Sequence, residues 1–159
     1  MALNRAAEWF AGIDFSDAAA ATARVAAEFA GWAPALTSLI TGGETTPVLR
    51  ALHTLPSGHR WDRVTGVTLL GDAAHLAPPA GEGANLAMLD GAELALAIAG
   101  RPDDIEAGLA AYEAAMFPRS QSAAADARQT LALCLDDRAP YGLVDFFAGA
   151  LKGNHEGAA

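Results

Sequence analysis

The sequence predicts an α/β fold, and three observations predict it. The apolar run Val67 to Leu70 stops abruptly at Gly71-Asp72, the pattern of a buried strand that ends in a turn. Pro78-Pro79 and Gly81-Glu82-Gly83 then form a stiff loop with little side chain, and an apolar helix begins near Asn85. The order strand, turn, loop, helix delivers the Asp72 carboxylate to the carboxyl edge of a sheet, where ligands of open α/β folds bind. The helix start would offer free N–H groups and a positive dipole to a phosphate.

The remaining elements follow in chain order. Ser16 is a plausible N-cap, and Val25, Phe29, Trp32 and Leu36 recur at helical spacing, interrupted by Gly31 and Pro34, which predicts two short helices. Thr41 to Pro47 reads as a turn, followed by a strand through about Leu55 and a second turn at Pro56-Ser57-Gly58. The helix from Asn85 to about Ala99 stops at Gly100. Arg101-Pro102-Asp103-Asp104 opens another, with proline and acids in its first turn and Ile105, Leu109, Tyr112 and Met116 on one face. Pro118 is expected to kink or interrupt that helix, because it lacks a backbone donor. A further helix is expected from Ser120 to Leu135, a last short one from Tyr141 to Leu151, and a frayed tail from Gly153 to Ala159.

Composition bounds the function classes. With 52% hydrophobic and 18% charged residues in a chain of 159, there is enough apolar material for one core and no disordered majority. Much of it is alanine, so the core rests on few large side chains. The net charge of −9 argues against nucleic-acid and anionic-membrane surfaces, which need clustered Lys and Arg. The single cysteine, Cys134, makes no internal disulfide, and no Cys/His set has zinc-ligand spacing, so no metal site is expected. Neither a secretory leader nor a run of ~20 apolar residues is present, which points to a cytoplasmic protein.

The individual residues admit plainer readings. On pattern alone, Asp72 serves equally well as an Asx-turn cap. His75, beside the turn, suits a structural bond to backbone better than general-base work. Asn85 reads first as a helix N-cap, which leaves its neighbouring N–H groups free for a ligand. Asp90 and Glu93 are expected on a solvated or interhelical face. His53, His59, Arg60 and Trp61 are taken as structural, and Cys134 as a small core residue. No Ser/His/Asp arrangement points to hydrolysis.

The string Gly71-Asp72-Ala73-Ala74-His75, followed by Pro78, Gly81, Gly83 and Asn85, closely resembles the GD motif of FAD-dependent monooxygenases of the aromatic-hydroxylase and tetracycline-hydroxylase type. The loop between His75 and Gly81 is one residue shorter than that family's usual spacing. The likeness extends on both sides, from Gly58 through Tyr112 and the Phe117-Pro118-Arg119-Ser120 run. The resemblance implies FAD as cofactor, with Asp72 on its ribityl chain. It also implies Gly71, Pro78, Gly81, Gly83, Ala84, Asn85 and Leu86 as the rest of the cofactor-binding set, the glycine loop and helix start lying against pyrophosphate and isoalloxazine. It implies NAD(P)H as co-substrate and hydroxylation of an aromatic or polyketide-like small molecule. The cofactor carries such chemistry, so no catalytic side chain is expected here.

The family's G-x-G-x-x-G fingerprint does not precede Val67. The expectation is therefore a C-terminal part of a family protein: an incomplete α/β FAD-binding domain with part of a substrate-domain sheet and C-terminal helices. Its N-terminal half would be missing or separately encoded. The expected division is residues 1–62 for the end of the substrate domain, 63–100 for the GD strand-loop-helix, 101–152 for C-terminal helices and 153–159 for the tail. A non-catalytic flavin-binding or half-enzyme module, or a related flavin halogenase or reductase, is the alternative.

Overall fold

Helix formers dominate this chain, and helices are what form. The computed structural model describes residues 3–156, with side chains described through residue 149. Its elements are α1 (Ala7–Ala11), α2 (Ala18–Ala27), α3 (Pro34–Thr41), α4 (Asp72–His75), α5 (Gly83–Ala99), α6 (Ile105–Leu135) and α7 (Tyr141–Glu156). The α/β expectation is overturned, because no sheet occurs among the described residues. The one trace of β structure there is an isolated antiparallel bridge, Val64 to Val67, closed by the Val67 N–H on the Val64 carbonyl at 3.1 Å.

Both expected strands fail for the same reason. A strand is stable only when a neighbour satisfies its backbone groups, and a lone extended segment has none. Val67 to Leu70 stays irregular, with Val67, Leu69 and Leu70 at 53%, 39% and 41% exposure, as no second strand pairs with it. The segment ending near Leu55 makes one backbone bond, from the Leu55 N–H to the Leu76 carbonyl at 2.8 Å. Neither an FAD-domain sheet nor part of a substrate-domain sheet is therefore present among the described residues.

The chain divides into two compact units, Met1–Ala51 and Leu52–Ala159. In the first, α2 packs on α3 and buries Ala21 and Val25. Asp17, rather than the expected Ser16, caps α2 by accepting from the Ala20 N–H at 3.0 Å, while the Ser16 hydroxyl turns to Asp14. Pro34 starts α3 at a position where its missing N–H has no partner to lose. Glu28 gathers three donors, Arg5 Nε at 2.9 Å and Trp9 Nε1 and Arg24 Nη1 at 3.1 Å.

In the second unit α5 and α6 pack closely along their length. Gly108 makes the approach possible: a Cβ built there would lie 2.8 Å from the Ala97 carbonyl oxygen. Ala74, Tyr112 and Met116 form the buried centre, with Trp61, Leu94, Ala97 and Phe117 packed around it. Asp104 caps α6 through the Ala107 N–H at 2.9 Å. The expected break at Pro118 does not occur, and α6 runs unbroken through it. A proline inside a helix costs about 3 kcal/mol, which packing on both sides offsets here. Met116 and Ser120 are buried, and Arg119 is tied to α5 by two ion pairs. The last helix extends past Leu151 to Glu156, and residues 157–159 of the expected tail lie outside the described residues.

Candidate functional site: the Gly71-Asp72 turn and the start of helix α5

The turn begins with a backbone shape that only glycine adopts readily. Gly71 has φ 58° and ψ −142°. Its carbonyl accepts from the N–H groups of Ala74 at 2.9 Å and His75 at 3.0 Å, closing the short helix α4. There is no room behind it, since an added Cβ would sit 3.1 Å from the Ala87 Cβ on α5. The turn thus rests against α5 one helical turn, ~5.4 Å, from that helix's first residues.

Side chains hold this segment in place of strand neighbours. Arg63 Nη1 donates to the Val67 carbonyl at 2.6 Å, the Tyr112 hydroxyl to the Leu69 carbonyl at 3.2 Å, and the Gly71 N–H to Asp90 Oδ2 at 2.9 Å. Glu113, buried on α6, accepts from Trp61 Nε1 at 3.1 Å, Arg63 Nη1 at 2.8 Å and Thr68 Oγ1 at 2.7 Å. Glu106 takes Arg63 Nη2 at 2.9 Å and the Gly66 N–H at 2.5 Å.

Asp90 is the most enclosed carboxylate, with no exposed surface. Its Oδ2 also meets His75 Nε2 at 2.5 Å, and its Oδ1 accepts from Arg119 Nη2 at 2.8 Å. Arg119 reaches Glu93 through its other terminal nitrogen. Burial works to raise the Asp90 pKa, but bonds from the Gly71 N–H, His75 and Arg119 outweigh it and hold the carboxyl below its usual value. The same ions act on Tyr112, whose phenol is pushed up to about 12 by burial and then by the Asp90 charge.

Asp72 presents the opposite environment. Its side chain is exposed and makes no hydrogen bond or ion pair among the described residues. Beyond it Pro78 is buried, Gly81, Gly83, Ala84 and Asn85 are exposed, and Leu86 is half-buried. Helix α5 starts at Gly83, with Glu82 as an N-cap that makes no side-chain bond, so Asn85 lies in the first turn rather than at the cap. The first-turn N–H groups of an α-helix have no intrahelical partner. Cβ atoms added at Gly81 or Gly83 would meet open space.

Residues 59–127 match the FAD binding domain family. The Gly71-to-Asn85 string lies inside the matched residues. The chain is also 39% identical over 106 residues to an FAD-dependent urate hydroxylase of Mycolicibacterium vanbaalenii. That likeness takes in 65% of this chain and 26% of the relative, so the chain spans about a quarter of the relative's length.

Within residues 59–127, the exposed loop was legible in the sequence and the buried support was not. Asp90 was expected on a solvated or interhelical face; it lies on the interhelical one, bonded to Arg119 of α6, and is fully enclosed. His75 was expected to bond backbone and bonds the Asp90 carboxylate. A signal existed: Asp90 interrupts the apolar run Leu86 to Leu89, and an acid there demands a cation. Cys134, expected in the core, is exposed. Trp61 and Arg63 bind Glu113, whereas His59 only stacks near Trp61 at 6.0 Å. Among the described residues no group of His, Cys, Asp and Glu is arranged to hold a metal ion. No helix among them is long and apolar enough to cross a membrane.

Proposed function

We propose that this chain is the C-terminal part of an FAD-dependent monooxygenase that hydroxylates an aromatic or polyketide-like small molecule, with NAD(P)H as the reductant. The observation that carries the reading is the Asp72 carboxylate: exposed, without a partner among the described residues, and carried on a turn bonded through Gly71 to Asp90 of α5, which Arg119 of α6 holds in turn. An exposed acceptor fixed in this way suits the hydroxyls of a ribityl chain. The residues present fit the rest of the cofactor. Gly81 and Gly83 leave space for it, and the free N–H groups of Gly83, Ala84 and Asn85 suit its pyrophosphate.

When bound, FAD supplies the electron and oxygen-transfer chemistry. The work of this chain is to bind and orient it: Asp72 and the start of α5 as polar contacts, with Gly71, Pro78 and Leu86 shaping the turn, loop and helix behind them. No side chain here is assigned a proton-transfer role. The relative's name makes urate the first substrate to try.

A second reading draws on the apolar surface around the turn. Val67, Leu69, Leu70, Met88, Leu89 and Leu96 are between 39% and 73% exposed. This favours a half-enzyme module that needs a separate N-terminal half before FAD binds.

FAD titration of the purified chain, followed by flavin fluorescence, tests both readings. It would be run alone and with the N-terminal half of the urate hydroxylase relative. Binding alone supports an autonomous flavin module, and binding only with the added half supports the half-enzyme. Absence of binding in both would overturn the flavin reading.

A further inference from the structure

The two ends of α4 converge on a single atom. The Gly71 N–H, entering the turn, and His75 Nε2, leaving it, both meet Asp90 Oδ2, at 2.9 Å and 2.5 Å. Asp72 lies between them with its side chain in solvent. The other Asp90 oxygen is occupied by Arg119, which Glu93 holds in turn. An enclosed carboxylate is tolerated only when both oxygens find donors and a cation balances its charge, and this one meets both conditions with three partners. Ala87, three residues earlier on the same face of α5, closes the space behind Gly71.

We infer that Asp90 is the positioning residue of the flavin turn, fixing the Asp72 backbone through Gly71 and His75 so that the Asp72 side chain leaves the turn from one place; this rests on the flavin reading above. Asp90 itself has no exposed surface, so it acts through the turn rather than on a ligand. Arg119 and Glu93 act one step further back, by holding the carboxylate in register. Glu113 is the natural control, because it is equally a buried acceptor of three donors but holds Trp61, Arg63 and Thr68 rather than the turn.

The test compares four variants of the full chain, with the N-terminal half added if the wild type needs it to bind FAD. Asp90→Asn can face only one of its two partner groups with an oxygen, His75→Ala removes one attachment, and His75→Gln keeps a nitrogen near the position of Nε2. Glu113→Gln is the control.

The expected result is FAD binding weakened about tenfold or more in Asp90→Asn and His75→Ala, and within about threefold of wild type in His75→Gln and Glu113→Gln at similar melting temperatures. Equal weakening in Glu113→Gln, or unchanged binding in a folded Asp90→Asn, would overturn the inference. Amide exchange at Gly71 gives a reading that needs no flavin. Exchange about tenfold faster in Asp90→Asn, with core amides unchanged, supports the anchoring, and unchanged exchange overturns it. If the wild type binds no FAD under either condition, the flavin reading fails, and Gly71 exchange alone judges the anchoring.

Discussion

Asp72 and Asp90 are both aspartates of one small region, and their surroundings give them opposite work. Asp72 has only solvent around it, so its loss should leave the fold intact: Asp72→Ala is expected to weaken FAD binding about tenfold or more at an unchanged melting temperature, read by titration and thermal melts. Asp90 has a folded-state pKa below the 3.8 of the unfolded chain. Its contribution to stability is therefore complete above that value and is lost as pH falls through the lower folded-state value. The difference in melting temperature between wild type and Asp90→Asn should hold steady near neutrality and narrow below pH 3.8. Tyr112 works at the other end of the scale. Its folded-state pKa of about 12 lies above the ordinary 10.0, so the neutral phenol stabilises the fold below pH 10.0 and that support is lost as pH climbs towards 12. Tyr112→Phe should abolish that alkaline loss, as measured by denaturant unfolding at pH 9 to 12. The Gly71-Asp72 turn was legible because the residues that frame it are its chain neighbours. Asp90 was not, because its cation, Arg119, lies 29 residues away on another helix.

Helix ends could be read closely and helix interiors could not. Asp104 stands at the cap of α6 rather than in its first turn, and the start of α5 falls two residues before the expected Asn85. These ends are set by local chemistry, in which a side chain satisfies N–H groups a few residues on. The continuity of α6 through Pro118 depends on what packs against it, and no local signal carries that. The two glycines that set element geometry give direct tests. Gly71→Ala would force a side chain into a left-handed conformation and against Ala87, at a cost of about 1–3 kcal/mol. Gly108→Ala would push a methyl into the Ala97 carbonyl and separate α5 from α6, again at about 1–3 kcal/mol. Denaturant unfolding measures both. Wild-type stability in Gly108→Ala would show that the two helices do not need this close approach.

The missing sheet is the main lesson at the level of the chain. A run such as Val67 to Leu70 has strand character in its sequence, yet the pairing that makes a strand belongs to two segments, and only one is present among the described residues. Half of the buried apolar residues are alanine, so the interior is thin, as the composition implied, and many large apolar side chains lie outside it. Adding the N-terminal half of the relative is expected to raise the melting temperature and to lower the binding of a hydrophobic dye. No change in either would count against a complementary partner over Val67, Leu69 and Leu70.

Fastening both ends of α4 to Asp90 has a consequence for sequence length. Each residue of an α-helix turns the chain by about 100°, so one insertion between Gly71 and His75 would swing the imidazole away from Asp90. The number of positions between those anchors is therefore fixed at three. No such ruler applies after His75, where the loop leaves α4 and its tip at Gly81 is exposed. It is there, outside the measured stretch, that this chain is one residue shorter than the family pattern it resembles. An alanine inserted beside Gly81 should be tolerated, whereas the same insertion beside Ala73 should unfasten the turn.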